Sequence, residues 1–180
     1  MAYERTDFYK ISLNNDFSLF KEHFLKNNIE KYSLEDVSIM KSLDNFVKHG
    51  NLDAYKWFIE NGYNHSSQTD SIACKNGNLD MVKCMVEKDL FRDYDGGFLC
   101  AISNKHLDIA KYLHSLKPEL FEYKKNMCWI FYATKDMDIF NWFYNELGLR
   151  WTKEYILDNM RYYQCILEKK DLLLRYAQKY

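Results

Sequence analysis

GNLDAYKWFIENG (50–62) and GNLDMVKCMVEKD (77–89) share one pattern, which KHLDIAKYLHSLK (105–117) and KDMDIFNWFYNEL (135–147) repeat without a gap. Each segment has a polar pair, then Leu or Met, Asp, two mostly apolar positions, and Lys or Asn. We call the Leu or Met of each segment its anchor; the anchors are Leu52, Leu79, Leu107 and Met137. Their separations of 27, 28 and 30 residues are nearly regular, which is typical of a repeat architecture.

Each segment is predicted to form one amphipathic helix, which we call a B helix. Its apolar residues lie at the anchor and three and six positions after it, on one helix face. The Asp after each anchor would meet the positive end of the helix dipole, and Asn51 and Asn78 are suited to be N-caps. A catalytic or metal-binding set is the alternative for the four Asp residues, and the helix-end explanation is favoured.

A second short apolar segment precedes each anchor and is predicted to form an A helix. The four segments are LDNFVKHG (43–50), DSIACKNG (70–77), FLCAISNK (98–105) and WIFYATKD (129–136). Each unit is then a helix–turn–helix hairpin. The sequence therefore predicts an all-α fold, a solenoid in which such hairpins stack on one another.

SIACKNGNLDMVKCMVEKD (71–89) and CAISNKHLDIAKYLHSLK (100–117) resemble the ankyrin repeat. They share its small-residue pair, its polar pair, the His/Asn-Leu-Asp order and the following aliphatic positions. Gly62 falls where ankyrin repeats place a glycine to end the second helix. The resemblance covers residues 43–148. It implies an ankyrin-like stack that binds other proteins.

Two departures from the ankyrin pattern concern the fingers, the loops that join one ankyrin repeat to the next. The Thr-Pro-Leu-His opening is replaced by KSLD (41–44), QTDS (68–71), GGFL (96–99) and NMCW (126–129). The period is also shorter than the 33 residues of an ankyrin repeat. We therefore expect shortened fingers. Such short units are similar to the divergent ankyrin-like proteins of large DNA viruses, including giant viruses and the asfarvirus multigene families.

One repeat domain is predicted over residues 1–180. Residues 1–31 form a degenerate first repeat anchored at Phe17, and 32–43 connect it to the next A helix. Residues 43–148 hold the four ankyrin-like repeats, and 149–180 form a truncated repeat anchored at Met160 and a C-terminal capping helix, because a stack must cover its terminal apolar face.

Composition and charge exclude several classes of protein. The 25 basic and 26 acidic residues leave a net charge of −1, which favours neither nucleic acid nor an anionic membrane as a partner. The sequence has no signal-peptide pattern and no apolar run of membrane-span length, so we expect a soluble, cytoplasmic protein. The five cysteines lie in amphipathic segments and are predicted to be buried in a reducing compartment.

The sequence contains no recognisable catalytic, metal-binding or phosphate-binding motif. Phosphate-binding glycine loops are absent from the sequence, and Cys100, His106 and His114 do not have zinc-ligand spacing. Asp93 begins a calcium-like stretch, but Phe98 and Asn104 stand where a calcium loop needs Gly and Glu. We therefore predict no metal, no cofactor and no enzymatic activity.

The favoured function is that of a protein–protein interaction module, and we expect a monomer. If the chain is viral, it would act in the host cytoplasm and bind a host regulatory or immune protein. The resemblance implies contacts from the A-helix ends and the loops. The candidate contact residues are Lys48, His49, Lys75, Asn76, Ser103, Asn104 and Thr134 at the helix ends, and His65, Arg92, Tyr94 and Tyr123 in the loops. An ordinary solvated surface is the alternative for these residues. A small all-α enzyme or a nucleic-acid-binding factor is the alternative for the function, and self-association through the ends stays open.

Overall fold

The computed structural model describes residues 6–26, 37–120, 136–150, 152–160 and 170–177. In these ranges the chain forms helices and turns, with no strand among them, so the prediction of an all-α protein is confirmed. The α-helices are α1 (Thr6–Leu13), α2 (Phe17–Lys26), α3 (Val37–Lys48), α4 (Leu52–Glu60), α5 (Ser67–Lys75), α6 (Leu79–Glu87), α7 (Tyr94–Ser103), α8 (Leu107–Leu116), α9 (Met137–Asn141), α10 (Lys153–Met160) and α11 (Lys170–Ala177).

The chain divides into two compact units, Met1–Leu113 and His114–Tyr180. The first unit contains α1 to α7 and most of α8, and the second contains α9 to α11. A single repeat domain over 1–180 stays a prediction. Each unit is described by itself below.

Helix hairpins build the first unit. The helices α1 and α2, α3 and α4, and α5 and α6 pack against each other within their hairpins. The first helices of successive hairpins also lie side by side, because α3 contacts both α1 and α5, and α5 contacts α7. Of these first helices, α3, α5 and α7 are the predicted A helices, and every B helix predicted between residues 50 and 117 begins at its anchor.

The buried positions recur at the same distance from each anchor. The A helices bury the residues six and five positions before it, which are Phe46, Val47, Ala73, Cys74, Ala101 and Ile102. The B helices bury the residues three and six positions after it, which are Tyr55, Phe58, Val82, Met85, Ala110 and Leu113. The anchors Leu52, Leu79 and Leu107 are only partly buried, whereas the residue two positions after each anchor is also buried. The apolar stripe is therefore wider than predicted.

A left-handed residue lies two positions before each anchor of the first unit. Gly50 and Gly77 have φ of +70° and +74°, and Asn15 and Lys105 adopt the same region with φ of 55° and 67°. Asn15 precedes Phe17 as Gly50 precedes Leu52, so the first hairpin turns in the same way as the later ones. A lysine in this conformation costs about 1–2 kcal/mol, which indicates that the turn geometry is imposed by the surrounding packing.

The helix α3 begins earlier than predicted. Residues 32–43 were expected to connect two repeats, whereas α3 already starts at Val37. Ile39 and Leu43 are both buried, and they continue the apolar face of Phe46 toward the N-terminus with a spacing of three to four residues. Residues 37–43 are therefore part of the A helix, and residues 32–36 of the connection lie outside the described residues.

In the second unit, the B helix that begins at Met137 contains one additional residue. After α9 the chain continues as a single π-helical turn over Trp142–Glu146, and the Leu147 amide donates to the Trp142 carbonyl at 3.1 Å. The glycine that ends the helix, Gly148, consequently follows its anchor by eleven residues, whereas Gly62 follows Leu52 by ten. A π-turn inserts one residue into a helix, which accounts for this one-residue difference.

The remaining helices of the second unit correspond to the predicted ends of the chain. The helix α10 lies where the truncated repeat was expected, and α11 lies in the segment expected to be the capping helix; the two pack against each other. Ile156 and Leu173 are buried. The A helix predicted at 129–136 lies outside the described residues apart from Asp136.

Candidate functional site

The ends of the A helices carry most of the predicted contact residues. Lys48, Lys75 and Ser103 are the last residues of α3, α5 and α7. The next residue in each case, His49, Asn76 or Asn104, is also a predicted contact residue. We call the six residues the helix-end row: Lys48, His49, Lys75, Asn76, Ser103 and Asn104. All are exposed except Ser103, which is half-buried. The structure therefore brings this part of the predicted set to the surface.

Hydrogen bonds between neighbouring turns hold the helix-end row together. The Asn78 amide nitrogen Nδ2 donates to the Val47 carbonyl at 2.6 Å, and His106 Nε2 lies 3.0 Å from the Lys75 carbonyl. Asn51 Nδ2 donates to Asn15 Oδ1 at 2.9 Å in the same way. The residue before each of these anchors therefore reaches back to the preceding hairpin. Carbonyls at helix C-termini have no partner within the helix, and the contacts from Asn78 and His106 supply one, whereas Asn51 bonds a side-chain oxygen.

The two predicted N-caps behave differently. Asn51 accepts a hydrogen bond from the Ala54 amide at 3.0 Å, as predicted. Asn78 occupies the N-cap position of α6, but its side chain makes no capping bond there. It instead donates to the preceding hairpin. The Asn78 side chain therefore joins two hairpins and does not satisfy its own helix.

The edge that contains the helix-end row is mixed in charge. Lys48, Lys75 and Lys105 are exposed along it, and the aspartates that follow the anchors are exposed beside them at the starts of the B helices; these are Asp53, Asp80 and Asp108. Alternating charges favour a partner with complementary charges of both signs. A polyanion such as nucleic acid would meet as many acidic as basic groups among these six.

The predicted loop residues are divided between surface and core. Arg92 is exposed in the loop between α6 and α7. Tyr94 is the first residue of α7 and is half-buried, with its ring 5.0 Å from that of Phe91. Tyr123 and Thr134 lie outside the described residues. His65 lies in a loop as predicted, but its side chain is 1% exposed, which corrects the expectation that this loop offers the imidazole to a partner.

The buried His65 belongs to a polar cluster that the sequence analysis missed. Tyr55 Oη lies 2.9 Å from His65 Nδ1, and His65 Nε2 lies 2.9 Å from Asp70 Oδ1. The Asp70 side chain is fully buried. Its second oxygen, Oδ2, accepts from the backbone amides of Arg92 and Asp93 at 2.9 and 3.2 Å. We call Tyr55, His65 and Asp70 the buried triad.

The protonation pattern of the buried triad follows from its geometry. A carboxylate only accepts, so His65 Nε2 carries the proton that faces Asp70. In a neutral imidazole Nδ1 then accepts from the Tyr55 hydroxyl. Burial is the largest cause of a raised pKa at Tyr55, with the Cys84 thiol and the Asp70 carboxylate as smaller causes, so the phenol stays a donor at neutral pH. Each member of the triad has a complementary neighbour.

A second carboxylate lies beside the triad. The Thr69 hydroxyl donates to Asp44 Oδ1 at 2.8 Å, which links α5 to α3. Burial raises the pKa of Asp44, whereas the Thr69 hydrogen bond and the electrostatic interaction with His65 lower it to a smaller extent. The net raised pKa shows that the ionised carboxylate is less well accommodated here than in water.

Asp44→Asn is expected to raise the melting temperature at about pH 7. The folded-state pKa of Asp44 lies above its ordinary value of 3.8, so the destabilisation is absent below that value and grows as the pH rises through the folded-state pKa. Asparagine removes the charge and keeps an oxygen for the Thr69 hydroxyl. Thermal unfolding of both proteins at about pH 3 and pH 7 measures the difference, which should vanish at the lower pH.

The control for this comparison is Asp53→Asn, because Asp53 is exposed in the first turn of α4. It should give no stabilisation at about pH 7, since this charge is favourably placed at a helix N-terminus. A lower melting temperature for Asp44→Asn than for the natural chain at neutral pH would contradict the assigned sign.

Cys74 and Cys84 lie in environments that do not activate a thiol. Cys74 and Cys84 are buried and Cys100 is partly buried, as predicted for small apolar residues, whereas Cys128 and Cys165 lie outside the described residues. Burial is the main cause of the raised pKa of both Cys74 and Cys84. A raised pKa keeps the thiol protonated, and the thiol is a poor nucleophile.

No protein-family model, curated protein or solved structure matches this chain. Its candidate site is therefore defined by the contacts of its own residues. In the part of the chain that the structure describes, no three His, Cys, Asp or Glu side chains are grouped so as to hold a metal ion. No helix within the same residues is long and apolar enough to cross a membrane.

One sequence signal would have found the buried triad. Asp70 lies nine positions before its anchor, and the residues at that position in the neighbouring hairpins are Leu43 and Phe98, both buried. A charged residue at a core position of a repeat needs a partner. Among the A helices compared position by position, Asp70 is the charged residue at a position where the neighbouring hairpins have apolar ones.

Proposed function

We propose that this chain is a protein-binding module built as a stack of ankyrin-like hairpins with shortened fingers. The observation that carries the proposal is the helix-end row, which presents exposed polar pairs from three adjacent hairpins at equivalent positions. Side-by-side packing of the A helices supports the stack, and the hydrogen bonds from Asn78 and His106 to the preceding hairpins support a fixed spacing of the row. Repeated, regularly spaced surfaces of this kind are what repeat proteins use to bind partners.

The proposed partner is another protein that carries both acidic and basic groups on the surface facing the row. The alternation of lysines and aspartates along this edge supports that choice. The resemblance to viral ankyrin-like proteins makes a host regulatory or immune protein in the cytoplasm the first candidate. That candidate rests on analogy.

Affinity capture from a host-cell lysate with the full chain tests this proposal. The variant Lys48→Glu/Lys75→Glu reverses two exposed charges of the helix-end row, and we expect it to lose at least one protein that the natural chain retains. Removing or reversing one charge of a complementary pair at an interface commonly weakens binding by about tenfold or more. Quantitative mass spectrometry of the captured proteins gives the ratio.

The matched control is Lys26→Glu/Lys56→Glu, which makes the same change in charge at exposed positions of the B helices α2 and α4. It should retain the same proteins as the natural chain. Equal capture by both variants would remove the helix-end row from the proposed interface. Loss in both variants would indicate a general charge effect and would also contradict it.

A further inference from the structure

Two members of the buried triad, Tyr55 and Asp70, occupy positions that are apolar in the neighbouring hairpins. Tyr55 lies three positions after its anchor, where α6 and α8 bury Val82 and Ala110. Asp70 stands in the place of Leu43 and Phe98. The repeat therefore folds with apolar residues at both positions, and the polar cluster that joins α4, the following loop and α5 is not a requirement of the architecture.

Replacing such a cluster by apolar residues is expected to preserve stability. Buried charged groups lose their hydration, and well-packed apolar residues of similar volume are often as stable or more stable. His65 Nε2 and Asp70 Oδ1 approach each other to 2.9 Å, and within the described residues neither atom makes a hydrogen bond. Stability alone therefore does not explain why polar residues occupy these positions.

The contacts of Asp70 suggest another role for the buried triad. Its Oδ2 accepts from the amides of Arg92 and Asp93, two consecutive residues of the loop that joins α6 to α7. Asp93 in turn accepts from the Gly96 amide through Oδ1 at 2.9 Å and caps α7. On the other side of Arg92, the Phe91 side chain is buried. The backbone is therefore held on both sides of the exposed Arg92.

We propose that the buried triad is a positioning device, which fixes the backbone of residues 91–94 so that Arg92 and Tyr94 form a preorganised contact point. Tyr55 orients His65, His65 orients the Asp70 carboxylate, and the carboxylate holds the loop. Loops are usually mobile, and ordering a loop on binding lowers affinity. Arginine and tyrosine are frequent among residues that dominate binding. The contact role rests on the proposed function, whereas the ordering of the loop does not.

Amide hydrogen exchange of the full chain, followed by NMR at single residues, tests the device. The variant Tyr55→Phe/His65→Leu/Asp70→Leu removes all three polar groups together, so no buried partner is left alone. The Arg92 and Asp93 amides should exchange about tenfold faster or more, the size expected for losing a hydrogen bond to a charged group. The amides of Val82 and Met85 in α6 should change less than about twofold, because stability is kept.

Unchanged exchange at Arg92 and Asp93 would overturn the proposal, and so would equal acceleration of the α6 amides and the loop amides in a folded variant. If the triple variant fails to fold, Asp70→Asn serves instead, since it keeps the side-chain shape and an acceptor oxygen but turns two charge-assisted hydrogen bonds to the loop amides into weaker neutral ones. Faster exchange confined to Arg92 and Asp93 supports the device, and unchanged exchange overturns it. Failure of the proposed protein-binding function would appear only in the capture experiment and would leave these exchange rates unaffected.

Discussion

Asp70→Ala is expected to lower the free energy of unfolding by about 3–5 kcal/mol, because three N–H groups lose the carboxylate they face, and a buried donor left without an acceptor costs about 1–3 kcal/mol. The substitution leaves the His65 Nε2 proton facing a cavity, and it removes the acceptor of two backbone amides, Arg92 and Asp93. Each of these groups was taken out of water on folding and loses its partner. Urea denaturation of the full chain, followed by circular dichroism, measures the change.

Two controls separate the loss of the pair from the loss of a charge. Asp95→Ala removes an exposed aspartate from the first turn of the neighbouring helix α7 and should lower stability by about 1 kcal/mol or less, the usual contribution of a charge at a helix N-terminus. The triple apolar variant of the buried triad should recover most of the stability that Asp70→Ala loses, because it leaves no polar group without a partner. A loss below about 1 kcal/mol for Asp70→Ala would show that the carboxylate is replaceable and would contradict the central role given to it.

Gly77→Ala is expected to lower the free energy of unfolding by about 2–3 kcal/mol. The residue has a φ of +74°, which costs a non-glycine residue about 1–2 kcal/mol. A Cβ at this position would also lie 2.6 Å from Cε1 of the His106 ring. The ring must move, which breaks its contact with the Lys75 carbonyl, and such a hydrogen bond contributes about 0.5–1.5 kcal/mol. Chemical denaturation measures the sum.

Gly148→Ala is the matched control, because Gly148 has a similar φ of +67° but nothing lies within 4 Å of an added Cβ. It should show the conformational cost alone. The His106→Ala background gives a second check, since the cost of Gly77→Ala should fall there to the same conformational value. Equal costs of Gly77→Ala with and without His106 would mean that the ring does not hold the turn.

The hairpins could be predicted because their determinants are local. Apolar residues at helical spacing and a polar turn two residues before each anchor are all visible in one stretch of sequence. The first hairpin is the clearest case, because it lacks the Gly and the Asp of the later units and yet Asn15 takes the left-handed turn conformation. The start of α3 was missed because residues 37–43 were assigned to a connection from the repeat pattern, although Ile39 and Leu43 continue the helical spacing.

The candidate site was predictable only in part. The helix-end row follows from the repeat register alone, so its six residues could be chosen from sequence. The buried triad joins a helix, a loop and a second helix, and Asp70 reaches a further loop more than twenty residues along the chain. His65 looked like an exposed loop residue because the sequence does not show that the loop folds inward over Asp70. Partnerships of this kind depend on tertiary packing.

The π-turn at Trp142–Glu146 has a consequence for how chains of this type are compared. Tyr63 and Leu149 both donate from their backbone amides to the residue six positions after the anchor, Phe58 and Phe143, at 3.0 and 2.9 Å. One bond spans five residues and the other six, yet both close the same helix end. The chain thus absorbs an insertion inside a helix without losing the equivalence of the flanking positions. Alignments that allow a one-residue gap within the second helix, as well as in the loops, will detect related units that a fixed-length repeat profile passes over.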